Sequence, residues 1–167
     1  MTHSLFDAPG TAMPLRLVLD TNVVLDLFHF RAPAVAPLAA ALTAGRIRCL
    51  TDTGCLAELR RVLAYPKLKI PPGEAERLWH AYAAQAEQVP GSGATTHLPR
   101  CRDRDDQRFL ELAARGRAAW LVSKDKLVLK VRRSRMPLPF TLLHPDEAIL
   151  RLATPATAHP ADRSARP

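Results

Sequence analysis

Residues 15–24 read Leu-Arg-Leu-Val-Leu-Asp-Thr-Asn-Val-Val, a short apolar run that stops at Asp20 and passes at once into helix-forming sequence. Thr21 and Asn22 are helix-start residues, and Val23, Leu27 and Phe30 follow at helical spacing, which predicts a strand over 15–19 and a helix over 22–30. The same alternation continues along the chain. Val35–Ala44 reads as an Ala-rich helix closed by Gly45. Ile47–Leu50 reads as a strand, and Asp52 or Thr53 then caps a helix with Leu56, Leu59, Val62 and Leu63 on one face, stopped by Pro66. A helix is expected over Glu74–Val89, and Gly91-Ser92-Gly93 marks a turn. Asp103–Arg115 is amphipathic and closes at Gly116, Ala119–Ser123 is a buried strand, and Phe140–Leu143 is a last strand leading through Pro145 into a helix to about Leu152. The strands are continuous apolar runs rather than in/out alternations, so the sheet is predicted to be mainly parallel and covered on both faces. The class is α/β, a three-layer α/β/α sandwich.

The whole chain agrees with one such unit. Its 167 residues are 47% apolar and 24% charged, the balance of a globular domain able to bury a full core. Residues 1–14, with Pro9, Gly10 and Pro14, read as a flexible lead-in, 15–152 as the folded domain, and 153–167 as a disordered Pro/Ala-rich tail. No apolar run approaches the roughly 20 residues that span a bilayer. Met1–Pro14 lacks the basic and apolar regions of a secretory signal. Cys49, Cys55 and Cys101 are too few and scattered for a disulfide framework or a zinc site, so buried thiols in a cytoplasmic protein are expected. Against 16 Asp and Glu stand 24 Lys and Arg, a net charge of +8, which favours a polyanionic partner. Aromatic residues are only 5%, so a nucleic acid would be held by its backbone rather than by stacked bases.

In open parallel sheets, ligands bind outside the carboxyl ends of the strands. Asp20 follows the first strand directly, and Asp125 follows the strand that ends at Ser123. Asp103, Asp105 and Asp106 stand before the helix that precedes that strand, and Glu58 lies in the helix after the second strand. Carboxylates crowded at one edge raise one another's pKa and persist as anions only beside a cation. Oxygen-only donors suit Mg²⁺ or Mn²⁺, and four carboxylates balance two such ions. An acidic, metal-binding edge on a basic chain is the electrostatic layout of a nuclease, because a bound divalent ion activates water against a phosphodiester. The segment Lys124–Arg135 carries Lys124, Lys126, Lys130, Arg132, Arg133 and Arg135 and is expected to contact RNA phosphates.

Four blocks in order carry a family resemblance. Leu19-Asp20-Thr21-Asn22-Val23-Val24, Ala57-Glu58-Leu59-Arg60-Arg61-Val62-Leu63, Asp103-x-x-Asp106 leading to Leu110-Glu111-Leu112-Ala113, and Leu121-Val122-Ser123-Lys124-Asp125 resemble the PIN-domain family, in particular the toxin components of bacterial type II toxin–antitoxin pairs. The resemblance runs from about Leu15 to Leu150. It implies a metal-dependent ribonuclease preferring single-stranded RNA, with a Mg²⁺ or Mn²⁺ site of Asp20, Glu58, Asp106 and Asp125 and with Asp103 as a supporting ligand. It implies that Asn22 and Ser123 hold the carboxylates or a metal-bound water through hydrogen bonds. It further implies a small acidic antitoxin as partner, a homodimer, and cleavage to a 5′-phosphate and a 3′-hydroxyl. Lys124 stands where the family often has Gly, and the segment after Asp125 lacks the usual second Asp; neither departure removes a ligand.

Two other classes compete. A haloacid-dehalogenase-like phosphatase also places Asp after its first strand, but needs a second Asp two residues on, where this chain has Asn22. A non-catalytic PIN-like scaffold, binding protein or RNA, is the other, and the four retained acids count against it. A housekeeping RNA-processing nuclease differs from a toxin only in lacking an antitoxin.

Overall fold

A computed structural model describes residues 13–91 and 97–154. The expected lead-in and tail fall almost wholly outside these residues, as do Ser92 and Gly93 of the expected turn. Five strands are described: β1 (Leu15–Leu19), β2 (Ile47–Thr51), β3 (Glu87–Gln88), β4 (Trp120–Val122) and β5 (Thr141–Leu143). The helices are α1 (Thr21–Phe28), α2 (Ala36–Thr43), α3 (Thr53–Leu63), α4 (Pro72–Gln85), α5 (Gln107–Arg115), α6 (Lys126–Lys130) and α7 (Pro145–Ala153). All strands pair in parallel in the order β3-β2-β1-β4-β5. From β1 the chain builds outward through β2 to β3 on one side, then returns to add β4 and β5 on the other. The switch therefore lies between β1 and β4, where open α/β sheets bind ligands.

Alternate residues of each strand feed the two apolar layers. Leu17, Leu19 and Cys49 join Val23, Leu38, Leu59, Leu63 and Tyr82 in one, whereas Val18, Leu50 and Leu121 join Phe109, Leu110, Leu112 and Val128 in the other. Gly116 permits a close approach at the end of α5, since a Cβ there would sit 2.8 Å from Leu50 Cδ1 and 3.1 Å from Val89 Cγ2. The three cysteines are free and buried. Among the described residues no single helix is long and apolar enough to cross a membrane.

Three expectations about elements are corrected. The helix expected to reach Val89 stops at Gln85, and Glu87–Gln88 become β3, with Val89 N–H donating to Thr51 O at 2.8 Å. Arg16 and Arg48 pair with Glu87 at 3.0 and 3.4 Å, so pairing with the sheet overrides local helix preference. The helix expected from Asp103 begins at Gln107 instead. Asp103 Oδ1 accepts the Asp105 N–H at 2.9 Å, a local turn that competes with helix. The first helix runs from Thr21 to Phe28 rather than over 22–30, and its cap is Asp20 itself, through the Val23 N–H at 3.0 Å.

Candidate functional site

Three strands end the same way at the carboxyl edge: a carboxylate caps the next helix. Asp20 caps α1, Asp52 caps α3 through the Cys55 N–H at 2.7 Å, and Asp125 caps α6 through the Leu127 and Val128 N–H groups at 2.6 and 3.3 Å. Each sits at the positive end of a helix, which favours the anion. Asp52 is committed elsewhere, because Arg115 holds its other oxygen at 2.6 Å. Asp20 and Asp125 flank the switch point.

Ser123 joins these two. Its buried hydroxyl donates to Asp20 Oδ2 and accepts the Asp125 N–H at 3.0 Å. Asp20 is buried to 3% exposure, and burial pushes its carboxyl above the ordinary value of 3.8. The Ser123 hydroxyl and the Val23 and Asn22 backbone N–H groups oppose that rise, and the charge of Asp125 adds to it. Asn22 is exposed, and its side chain makes no hydrogen bond among the described residues.

Asp106 completes the acidic group from across the switch point. It stands at the start of α5 yet makes no capping bond with its side chain. Its carboxyl is pushed up to about 6, first by burial and then by the charges of Asp103, Asp125, Asp20 and Asp105. Asp103 itself lies exposed in the preceding turn.

Glu58 meets cations instead. Arg61 donates to it at 2.6 and 3.1 Å, and the Arg108 guanidinium stands 3.8 Å away. Arg108 also donates to Asp105 O at 2.7 Å and Gly54 O at 3.3 Å, so it ties the acidic turn to α3 beside Glu58. Among the described residues, no three His, Cys, Asp or Glu side chains converge tightly enough to enclose an ion as they stand. The donors at the switch point are nonetheless all oxygen and share mutual repulsion, the chemistry that a hard divalent cation relieves.

The basic segment divides. Lys124 is ion-paired with Asp26 of α1, and Arg132 with Glu147 of α7 at 3.0 Å. Lys126, Lys130, Arg133 and Arg135 are exposed without an ion pair among the described residues. Sequence reasoning passed over Asp26, Arg108 and the possible site role of Asp52; only Asp52 carried a signal, since it follows its strand as Asp20 does.

Comparison with known proteins adds an independent line. No curated protein matches the chain. Among solved structures, VapBC2 from Rickettsia felis, bound to a DNA fragment from their promoter, is similar in fold at a TM-score of 0.57 and 15% identity, over 78% of this chain and 98% of that one. A family model described as PIN domain matches residues 16–127, a span that takes in Asp20, Glu58, Asp106 and Asp125. With two thirds of its length under that model and the acids gathered at the switch point of a parallel sheet, the chain belongs to the PIN domain family.

Proposed function

We propose that this chain is a metal-dependent endoribonuclease that hydrolyses phosphodiester bonds of single-stranded RNA, and that it serves as the toxin of a toxin–antitoxin pair. The observation that carries the reading is the buried link from Asp20 through Ser123 to Asp125, beside which burial and then the charges of Asp103, Asp125 and Asp20 push the Asp106 carboxyl up to about 6. PIN domains are generally nucleases, and these donors suit Mg²⁺ or Mn²⁺. When bound, the ion supplies an activated water and neutralises charge developing on the phosphate.

The chain's own residues divide the remaining work. Asp20 and Asp125 hold the principal ion, their carboxylates pre-aimed by helix capping and by the Ser123 hydroxyl. Asp106 would help hold the ion or a water beside it, with Asp103 in support. Glu58 would complete a second position only where Arg61 and Arg108 release it. Asn22, beside Asp20, orients water through its exposed amide. Lys126, Lys130, Arg133 and Arg135 hold RNA phosphates, with Lys124 and Arg132 joining when their ion pairs open. The resemblance to toxin components and the likeness in fold to VapBC2 suit an antitoxin partner and a homodimer, and a net charge of +8 suits a small acidic antitoxin. The setting is cytoplasmic.

The test is cleavage of a labelled single-stranded RNA with Mn²⁺, with Mg²⁺ and with EDTA, alongside Asp20→Asn and Asp125→Asn. Metal-dependent cutting abolished by both substitutions supports the assignment. Equal cutting by the variants removes the site, and absence of both cutting and metal binding makes a scaffold the better reading.

A further inference from the structure

A groove of about 630 Å³ runs beside the acidic edge, between the 98–102 segment and the face formed by α6 and the 3-10 turn at Val131–Arg133. Arg100 and Arg102 line one wall, Lys130 and Arg133 the other. Leu98 and Val131, both nearly buried, form part of its floor. Among the described residues none of the four cations has an ion pair. The first wall is fixed in place: the Gln107 side chain accepts the Cys101 N–H at 2.7 Å and donates to Pro99 O at 3.3 Å, while Leu98 and Cys101 are anchored in the core. Leu127, which also lines the groove, gives its N–H to Asp125 at 2.6 Å, so the groove lies against the helix that Asp125 caps.

We propose that this groove is the channel for one RNA strand, with Arg100 and Arg102 gripping phosphates from the wall opposite Lys130 and Arg133. The inference rests on the ribonuclease reading and adds to it two residues and a path. Cations on facing walls neutralise a backbone from both sides, and a strand lying between them reaches Asp125 with a phosphodiester. Among the described residues no aromatic side chain lines the groove, so its grip falls on phosphates and is indifferent to base sequence. An acidic protein segment offers charge as well, but carries no phosphodiester for the acidic edge to act on.

The experiment is fluorescence anisotropy with end-labelled A-rich and U-rich single-stranded RNA, in EDTA so that nothing is cut. It compares the unsubstituted chain, Arg100→Glu with Arg102→Glu, and a control carrying the same charge change, Arg46→Glu with Arg77→Glu; both control residues are exposed and lie outside the groove. The groove pair is expected to weaken both RNAs at least tenfold more than the control pair and to lower the salt slope by about 1.4, at roughly 0.7 per phosphate contact. Its Mn²⁺ affinity and melting temperature stay near those of the control. Equal losses in the two pairs, or a loss confined to one RNA, overturn the channel. RNA binding kept while a polyglutamate probe is lost assigns the groove to an acidic protein and overturns it too. A chain that cuts RNA with Mn²⁺ but keeps its affinity in the groove pair defeats the channel alone, whereas one that neither binds nor cuts RNA defeats the ribonuclease reading.

Discussion

Ser123, the residue after β4, donates its hydroxyl to the carboxylate of Asp20, the residue after β1, and both side chains are buried. The same oxygen accepts the Asp125 N–H, so one hydroxyl sets the spacing of the two carboxylates across the switch point. Ser123→Ala leaves a buried carboxylate oxygen without its donor and an amide without its acceptor. The expected cost is roughly 1–3 kcal/mol of folding stability. Urea unfolding measures it, and an unchanged midpoint would remove the hydroxyl from that role.

Asp106 carries a pH signature. Its folded carboxyl keeps a proton up to about pH 6, whereas an ordinary Asp releases it near 3.8, so the folded state binds more protons between those values. Stability therefore falls as pH rises through that window and stays lowered above it. Asp106→Asn abolishes the loss. In EDTA at pH 7.5 the variant is expected to be more stable by roughly 1 kcal/mol, a figure discounted because the group is half exposed and screened by solvent. At pH 4 the difference disappears, and Mn²⁺ at pH 7.5 reverses it by stabilising the unsubstituted chain more. Melting curves from pH 4 to 8 provide the check; a gap of equal size at pH 4 would refute a charge origin.

Asp52 resembles Asp20 in position but not in use. It caps α3 and holds Arg115 at 2.6 Å, with both side chains mostly buried. Asp52→Ala removes the cap and strands a mostly buried guanidinium, an expected cost of roughly 2–3 kcal/mol. Asp52→Asn keeps an oxygen at the cap and is expected to lose about half as much. RNA cleavage per folded molecule stays unchanged in both, because this carboxylate is already neutralised. A large fall in cleavage at full folding would move Asp52 into the site.

Much of this was legible in the residues. Leu15–Leu19 stopping at Asp20 located β1 and put Asp20 at its carboxyl end, because a parallel core strand is a continuous apolar run. What was not legible depends on partners distant in sequence. Glu87–Gln88 read as the end of a helix until Arg16, Arg48 and the edge of β2 were placed beside them. The turn at Asp103–Asp105 read as helix because acids are common in a first turn, and the competing side-chain bond within it is invisible to periodicity. Glu58 matched its motif, but no local pattern brings Arg108 to it across 50 residues.

That last contact bears on ion count. With Arg61 and Arg108 against its carboxylate, Glu58 has cations of its own and little reason to draw a metal. The unsubstituted chain is expected to bind one Mn²⁺ tightly, and Glu58→Gln is expected to change that affinity less than about threefold, under 1 kcal/mol at 1.4 per decade. Asp20→Asn weakens the same ion by more than tenfold, since Asp20 is the buried anchor of the switch point. Removing the arginines, Arg61→Ala with Arg108→Ala, frees Glu58 and raises the stoichiometry toward two. Electron paramagnetic resonance of free Mn²⁺ counts bound ions directly and needs no RNA. Two tightly bound ions on the unsubstituted chain would show that the arginines yield to the metal and that Glu58 is a ligand from the outset.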